Sequence, residues 1–105
     1  MAEFVTVGSA ADVREGEMRP FEVGGRRVTV ARVGHSYHAF DDVCTHQQCS
    51  LAEGDLEGAT VTCACHGSQF NVTSGAVLRS PATEPVRTYP VRVEDGWVKV
   101  DVDTG

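Results

Sequence analysis

All four cysteines of the chain lie in two short stretches, Cys44-Thr45-His46-Gln47-Gln48-Cys49 and Cys63-Ala64-Cys65-His66-Gly67-Ser68. Sixteen residues, 47–62, separate His46 from Cys63. Each stretch offers one Cys/His pair, so together they supply four ligands for one metal site. Zinc accepts two Cys and two His in a tetrahedron. A mixed-ligand iron–sulfur cluster also accepts them, with two thiolates on one iron and two imidazoles on the other.

The sequence on either side of these stretches favours short β-strands. Residues 18–23, Gly24-Gly25 and residues 26–33 predict a hairpin, because paired glycines supply the positive φ of a tight turn. Asp95-Gly96 predicts a second hairpin turn, between strands at 91–94 and 98–102. Further strands are expected at 4–7, 37–40 and 60–63, and Ser9 is the N-cap of a single helical turn.

These patterns predict an all-β fold, an antiparallel sandwich or barrel framework that carries a loop-rich subdomain at about residues 43–85. The 105 residues suit a single domain. Formal charge is −6, which argues against a nucleic-acid binder and against an anionic membrane surface. The start of the chain lacks a signal-like pattern, and no apolar run is long enough to span a bilayer. We therefore expect a cytoplasmic protein without a membrane partner.

Cys44-x-His46 together with Cys63-x2-His66 resembles the signature of the Rieske 2Fe–2S family, and the resemblance extends over nearly the whole chain. It implies the Rieske fold and one 2Fe–2S cluster. Cys44 and Cys63 would hold the inner iron, and His46 and His66 the outer iron near the surface. Neutral imidazoles leave the outer iron electron-poor, which raises the reduction potential above that of an all-cysteine cluster. Zinc binding stays the alternative.

Cys49 and Cys65 remain after the ligands are assigned. In a reducing cytosol they would be two free thiols. Cysteines at the matching positions of Rieske proteins from cytochrome bc complexes form a disulfide between the two ligand loops, and the resemblance implies the same bond here. Many dioxygenase-associated Rieske ferredoxins lack this pair, so the chain departs from them at these positions.

Four further residues are expected to tune the cluster. High-potential Rieske proteins carry a serine at the position of Ser68, which donates to a bridging sulfide, and a tyrosine where this chain has Phe70. With one donor present and one missing, the potential should lie within roughly −150 to +300 mV but away from the upper end. Gln47 makes the tip of the first cysteine stretch polar, which disfavours quinol docking. Pro81 belongs to residues 80–85, which match the proline-containing loop that covers the cluster in the family.

The remaining histidines are interpreted as bystanders. His35, His38 and Asp41 have the residue types of a two-histidine, one-carboxylate iron site. Residues three apart on a strand point to opposite faces, so these side chains should not converge.

The resemblance implies a soluble electron carrier without substrate chemistry of its own. It would accept one electron from a flavin-dependent NAD(P)H reductase and pass it to a terminal oxygenase at the His46/His66 edge. The acidic charge predicts basic docking patches on both partners. Alternatives are a Rieske subunit or soluble fragment of a respiratory or oxidase complex, and a protein like the small subunit of nitrite reductase. Histidine ligation predicts a potential that falls as pH rises.

Overall fold

Three antiparallel sheets make up the protein in a computed structural model that describes residues 4–45, 49–65, 67–80 and 82–102. The strands follow one another as β1 (Val5–Ser9), β2 (Met18–Val23), β3 (Arg26–Val33), β4 (Ser36–Asp41), β5 (Asp55–Glu57), β6 (Thr60–Thr62), β7 (Gln69–Asn71), β8 (Val77–Arg79), β9 (Thr88–Tyr89), β10 (Val91–Glu94) and β11 (Trp97–Val100). Their orders are β1-β11-β10, β2-β3-β4-β9 and β5-β6-β7-β8. The all-β prediction is confirmed.

Both predicted hairpins form. β2 and β3 pair from Met18 opposite Ala31 to Val23 opposite Arg26, with Gly24 and Gly25 at φ +56° and +81° in the turn. β10 and β11 pair around Asp95 and Gly96, which also adopt positive φ. Because the turn length fixes the register of a hairpin, these glycines decide which side chains point inward.

The middle sheet separates two hydrophobic cores. Val28, Val30 and Ala39 face one of them, the framework core, which the β1-β11-β10 sheet closes with Val98 and Val100. Alternate residues of the same strands, Ala31 and Phe40, face the second, the site core. Strand side chains point alternately to opposite faces, so β3 is buried on both sides. The members of the site core are Ala31, Phe40, Cys44, Leu51, Val61, Cys63, Phe70, Val72, Ala82 and Val86.

The third sheet differs from the sequence prediction. Between residues 43 and 85 the pattern predicts loops and a single strand, whereas the structure has four strands of three residues each, β5 to β8. Three residues are too few to show an alternating pattern, which is why only the β-branched 60–63 segment was predictable. The sheet holds the segments that lead into and out of the second cysteine stretch.

The predicted single turn after β1 is a 3-10 helix at Ala10–Asp12. The Ser9 side chain accepts a hydrogen bond from the Ala11 N–H, and the Asp12 carboxylate accepts one from the Ser9 N–H. Such a capping box satisfies backbone donors that the helix itself leaves unpaired. Within the described residues, no helix is long and apolar enough to cross a membrane.

Candidate metal centre

Two cysteines of the paired stretches lie inside the site core. Cys44 and Cys63 are each only 3% exposed, and neither is in a disulfide. Backbone bonds close both segments: the Cys44 N–H donates to the Cys49 carbonyl at 2.9 Å, and the Cys63 N–H donates to the Ser68 carbonyl at 2.8 Å. Each segment is therefore a closed loop with one thiol held at its base. We call residues 44–49 the first loop and residues 63–68 the second loop.

A disulfide between Cys49 and Cys65 joins these two loops. Cys65 is exposed and Cys49 is half-buried, so the bond lies between the core and the surface. The sulfur atoms of Cys49, Cys63 and Cys65 all lie within 4.8 Å of one another. The expected disulfide is thus confirmed, and it lies beside one of the two core thiols.

A third loop, residues 80–85, is attached to both cysteine loops. The buried Ser68 side chain accepts a hydrogen bond from the Ala82 N–H at 3.0 Å. The Thr45 hydroxyl donates to the Glu84 carbonyl at 2.8 Å. Each cysteine loop therefore has its own hydrogen bond to the third loop, and the three segments are joined to one another.

The sequence profile of the Rieske 2Fe-2S domain matches residues 3–90. The chain belongs to the Rieske family. The two core thiols, the disulfide between their loops and the third loop beside them are the structural counterpart of that match.

Known Rieske ferredoxins match this chain over nearly its full length. It is 39% identical to ferredoxin CarAc of Metapseudomonas resinovorans over 98 residues, which is 92% of each chain. It is 38% identical over 97 residues to the ferredoxin component of biphenyl 2,3-dioxygenase from Rhodococcus jostii strain RHA1, covering 92% of this chain and 91% of that protein. A chain in the complex of reduced oxygenase and oxidized ferredoxin of carbazole 1,9a-dioxygenase superposes with a TM-score of 0.88 at 38% identity, covering 93% and 92% of the two chains.

The donor atoms of the described residues suit a Rieske cluster. Thiolates are the ligands of its inner iron, and this site offers two buried thiols on neighbouring loops. The other two predicted ligands, His46 and His66, lie outside the described residues, as do Gln47 and Pro81. The assignment of the four ligands therefore stays a prediction from the sequence, with which the positions of Cys44 and Cys63 agree.

Ser68 ends the second loop and Phe70 lies in β7, and both are fully buried. Phe70 packs in the site core, as expected of an aromatic residue at this position. The Ser68 oxygen acts as an acceptor toward Ala82, and this bond leaves the hydroxyl hydrogen available for a second partner. A serine so placed can hold the third loop and donate toward the site at the same time.

The three candidates for a second iron site do not come together. His35 is exposed at the turn before β4, whereas His38 is half-buried within that strand. Asp41 ends β4 and accepts a hydrogen bond from the Tyr89 hydroxyl. Burial lowers the pKa of His38 below its ordinary value, so the ring favours its neutral form. This placement agrees with the interpretation of these residues as bystanders, which stays a prediction.

Sequence reasoning missed two residues that organise the first loop. Thr45 lies between two predicted ligands, yet only the structure shows that its hydroxyl bonds the third loop. Asp42 is buried at 1% exposure and collects four side-chain contacts. An aspartate near a strand end normally predicts a solvated turn residue, so the sequence carries no local signal of this burial.

Proposed function

We propose that this protein is a one-electron carrier that holds a single 2Fe–2S cluster through Cys44, Cys63, His46 and His66. The observation that carries the proposal is the pair of buried thiols on two disulfide-linked loops, in a chain that matches ferredoxin components of dioxygenases along nearly their whole length. When bound, the cluster supplies a centre that takes up and releases one electron. The protein itself would perform no substrate chemistry.

The residues around the site explain how the chain would serve such a centre. Burial of Cys44 and Cys63 keeps water from the thiolate side. The disulfide and the hydrogen bonds of Thr45 and Ser68 restrain the loops against movement. A site whose groups are already in place needs little rearrangement when its charge changes, which favours fast electron exchange.

We propose two redox partners, a flavin-dependent NAD(P)H reductase as donor and a terminal oxygenase as acceptor, and the cytoplasm as the compartment. The oxygenase is supported by the relatives, because a similar ferredoxin chain forms a complex with its oxygenase in carbazole 1,9a-dioxygenase. Glu84 is the one charged residue in the three loops 44–49, 63–68 and 80–85. The other charged residues that make up the net charge of −6 lie outside these loops, and we propose that they steer the approach of a basic partner.

The cluster itself is tested by spectroscopy of the purified protein. We expect a brown protein with a rhombic EPR signal after reduction, and loss of both features in Cys44→Ser. A colourless protein after anaerobic reconstitution with iron and sulfide would contradict the proposal. Stoichiometric zinc in that colourless protein would support the structural-metal alternative instead.

Two exposed valines test whether partners dock beside the three loops. Val43 is 46% exposed and immediately precedes the first loop, whereas Val93 is 41% exposed on β10 of the framework. Val43→Glu places a charge beside the proposed contact, so electron transfer to the oxygenase should slow. Val93→Glu adds the same charge elsewhere and is the matched control. Equal rates for both variants, measured by stopped-flow absorbance, would show that partners dock on another surface.

A further inference from the structure

A buried carboxylate lies between the middle sheet and the first loop. Asp42 follows β4 and is 1% exposed. One carboxylate oxygen accepts a 2.6 Å hydrogen bond from the Thr29 hydroxyl, and the other is 2.7 Å from Arg27 Nε. Thr29 and Arg27 both belong to β3, so these contacts attach Asp42 to the central strand of the protein.

The same carboxylate binds the segment that directly follows the first loop. The Ser50 hydroxyl donates to it at 2.8 Å, and the Ala52 N–H donates at 3.0 Å. The backbone carbonyl of Asp42 accepts from the Leu51 N–H at 2.6 Å. Because a bridge joins Val43 to Ser50, Asp42 fixes both the entry and the exit of the loop.

The charge of Asp42 is only partly balanced. Its ionic partner, the Arg27 side chain, is 51% exposed and therefore interacts strongly with water. The Asp42 side chain is screened much less, because it is buried. The carboxylate therefore contributes a negative potential two residues from Cys44, and a negative potential opposes the addition of an electron.

We propose that Asp42 is a positioning residue with a second, electrostatic effect. It holds the first loop on β3 through Ser50 and Ala52, and its carboxylate keeps the reduction potential of the centre at Cys44 low. The inference rests on the proposed function, because it requires a redox centre in these loops. It adds that the potential depends on a residue that is not itself a ligand.

The test compares the midpoint potentials of three cluster-loaded variants with that of the native protein. Asp42→Asn keeps the shape of the side chain and removes its charge, so the potential should rise. Arg27→Gln removes the counter-charge at a half-exposed position, so the potential should fall by a smaller amount. Asp41→Asn is the matched control, since Asp41 is the adjacent carboxylate and bonds Tyr89 instead of the loop. It should shift the potential less than Asp42→Asn does.

Hydrogen exchange measured by mass spectrometry supplies the readout of positioning. Loss of a charge-assisted bond should speed exchange in the peptide that contains Ala52 by about tenfold in Asp42→Asn, and leave it unchanged in Asp41→Asn. A purely structural role predicts no opposite shifts of potential for the Asp42 and Arg27 variants. Shifts of the same sign, or equal shifts in the two aspartate variants, would overturn the inference.

Two outcomes separate this inference from the proposed function. If the native protein lacks a Rieske spectrum, the proposed function is wrong. If the native protein has that spectrum but Arg27→Gln leaves its midpoint potential unchanged, only the inference about Asp42 is wrong. The arginine variant also decides the question if Asp42→Asn fails to fold, because Arg27 is half-exposed and its replacement disturbs little packing.

Discussion

Removal of the disulfide between Cys49 and Cys65 should lower the free energy of unfolding of the cluster-free protein by about 3 kcal/mol. The two residues are 16 apart in sequence. Closing a loop of that length removes roughly 10 cal/mol/K of chain entropy from the unfolded state, which is about 3 kcal/mol at 25 °C. An unfolding entropy of roughly 2.1 cal/mol/K per residue over 105 residues converts this loss into a fall in Tm of about 14 °C.

Denaturant titration of three samples isolates the effect of the cross-link. These are the oxidised native protein, the same protein with excess dithiol reductant, and the double variant Cys49→Ser/Cys65→Ser. Trp97 is the only tryptophan and lies on β11, so its fluorescence reports whether the framework unfolds together with the loops. Reduction removes the bond without changing a side chain, whereas the serine variant also removes sulfur from the half-buried position 49.

We expect the reductant to destabilise the native protein by about 3 kcal/mol and to leave the serine variant unchanged. A loss below about 1 kcal/mol in the native protein would refute the reasoning, because it would mean that the bond restricts the unfolded chain far less than the loop-closure calculation requires. An equal response of the serine variant would show that the reductant acts elsewhere.

Three further changes test the packing, the tuning and the titration of the protein. Gly54→Ala should destabilise the protein by about 1–3 kcal/mol in a denaturant titration, because a Cβ there would lie 1.9 Å from the Thr62 carbonyl oxygen. Gly58→Ala is the control, because a Cβ at Gly58 meets no neighbouring atom and only the positive φ of that residue would destabilise the variant. Ser68→Ala should lower the midpoint potential, since a hydroxyl donor stabilises the reduced state; an unchanged potential would show that this serine only holds the third loop. Burial, together with the hydrogen bond to Asp41, raises the pKa of Tyr89 above 10.0. The unfolded chain therefore loses the phenolic proton first, and the free energy of unfolding should fall as pH rises above about 10. In Tyr89→Phe this fall should be less steep when stability is measured against pH.

The parts of the fold that could be predicted are those governed by local rules. Gly24-Gly25 and Asp95-Gly96 specify tight turns by backbone conformation alone, and the structure has both hairpins where the sequence places them. The strands β5, β7 and β8 were not predictable. Each has only three residues, too few to show an alternating pattern, and each is held by pairing with its neighbours in the sheet.

In the candidate site, too, some residues could be predicted from the sequence and others could not. The Cys and His spacing predicts the ligands because a metal centre requires donor atoms of defined chemistry. The burial of Asp42 has no such signature, because it depends on Thr29 and Arg27, which precede it in the chain by more than ten residues. Sequence reasoning therefore finds the groups that would touch the cluster and misses those that hold the loops in place.

The middle sheet accounts for how a small framework can hold such a site. β3 presents Val28 and Val30 to the framework core, and on its other face it presents Thr29 and Ala31 toward the loops. A movement of the first loop must therefore disturb a strand that is packed on both sides, and close-packed interiors resist such movement. The rigidity that an electron carrier needs comes from this double packing as well as from the disulfide. For that reason we expect the loss of Asp42 contacts to speed hydrogen exchange near the first loop, and the loss of the disulfide to lower the free energy of unfolding of the whole chain.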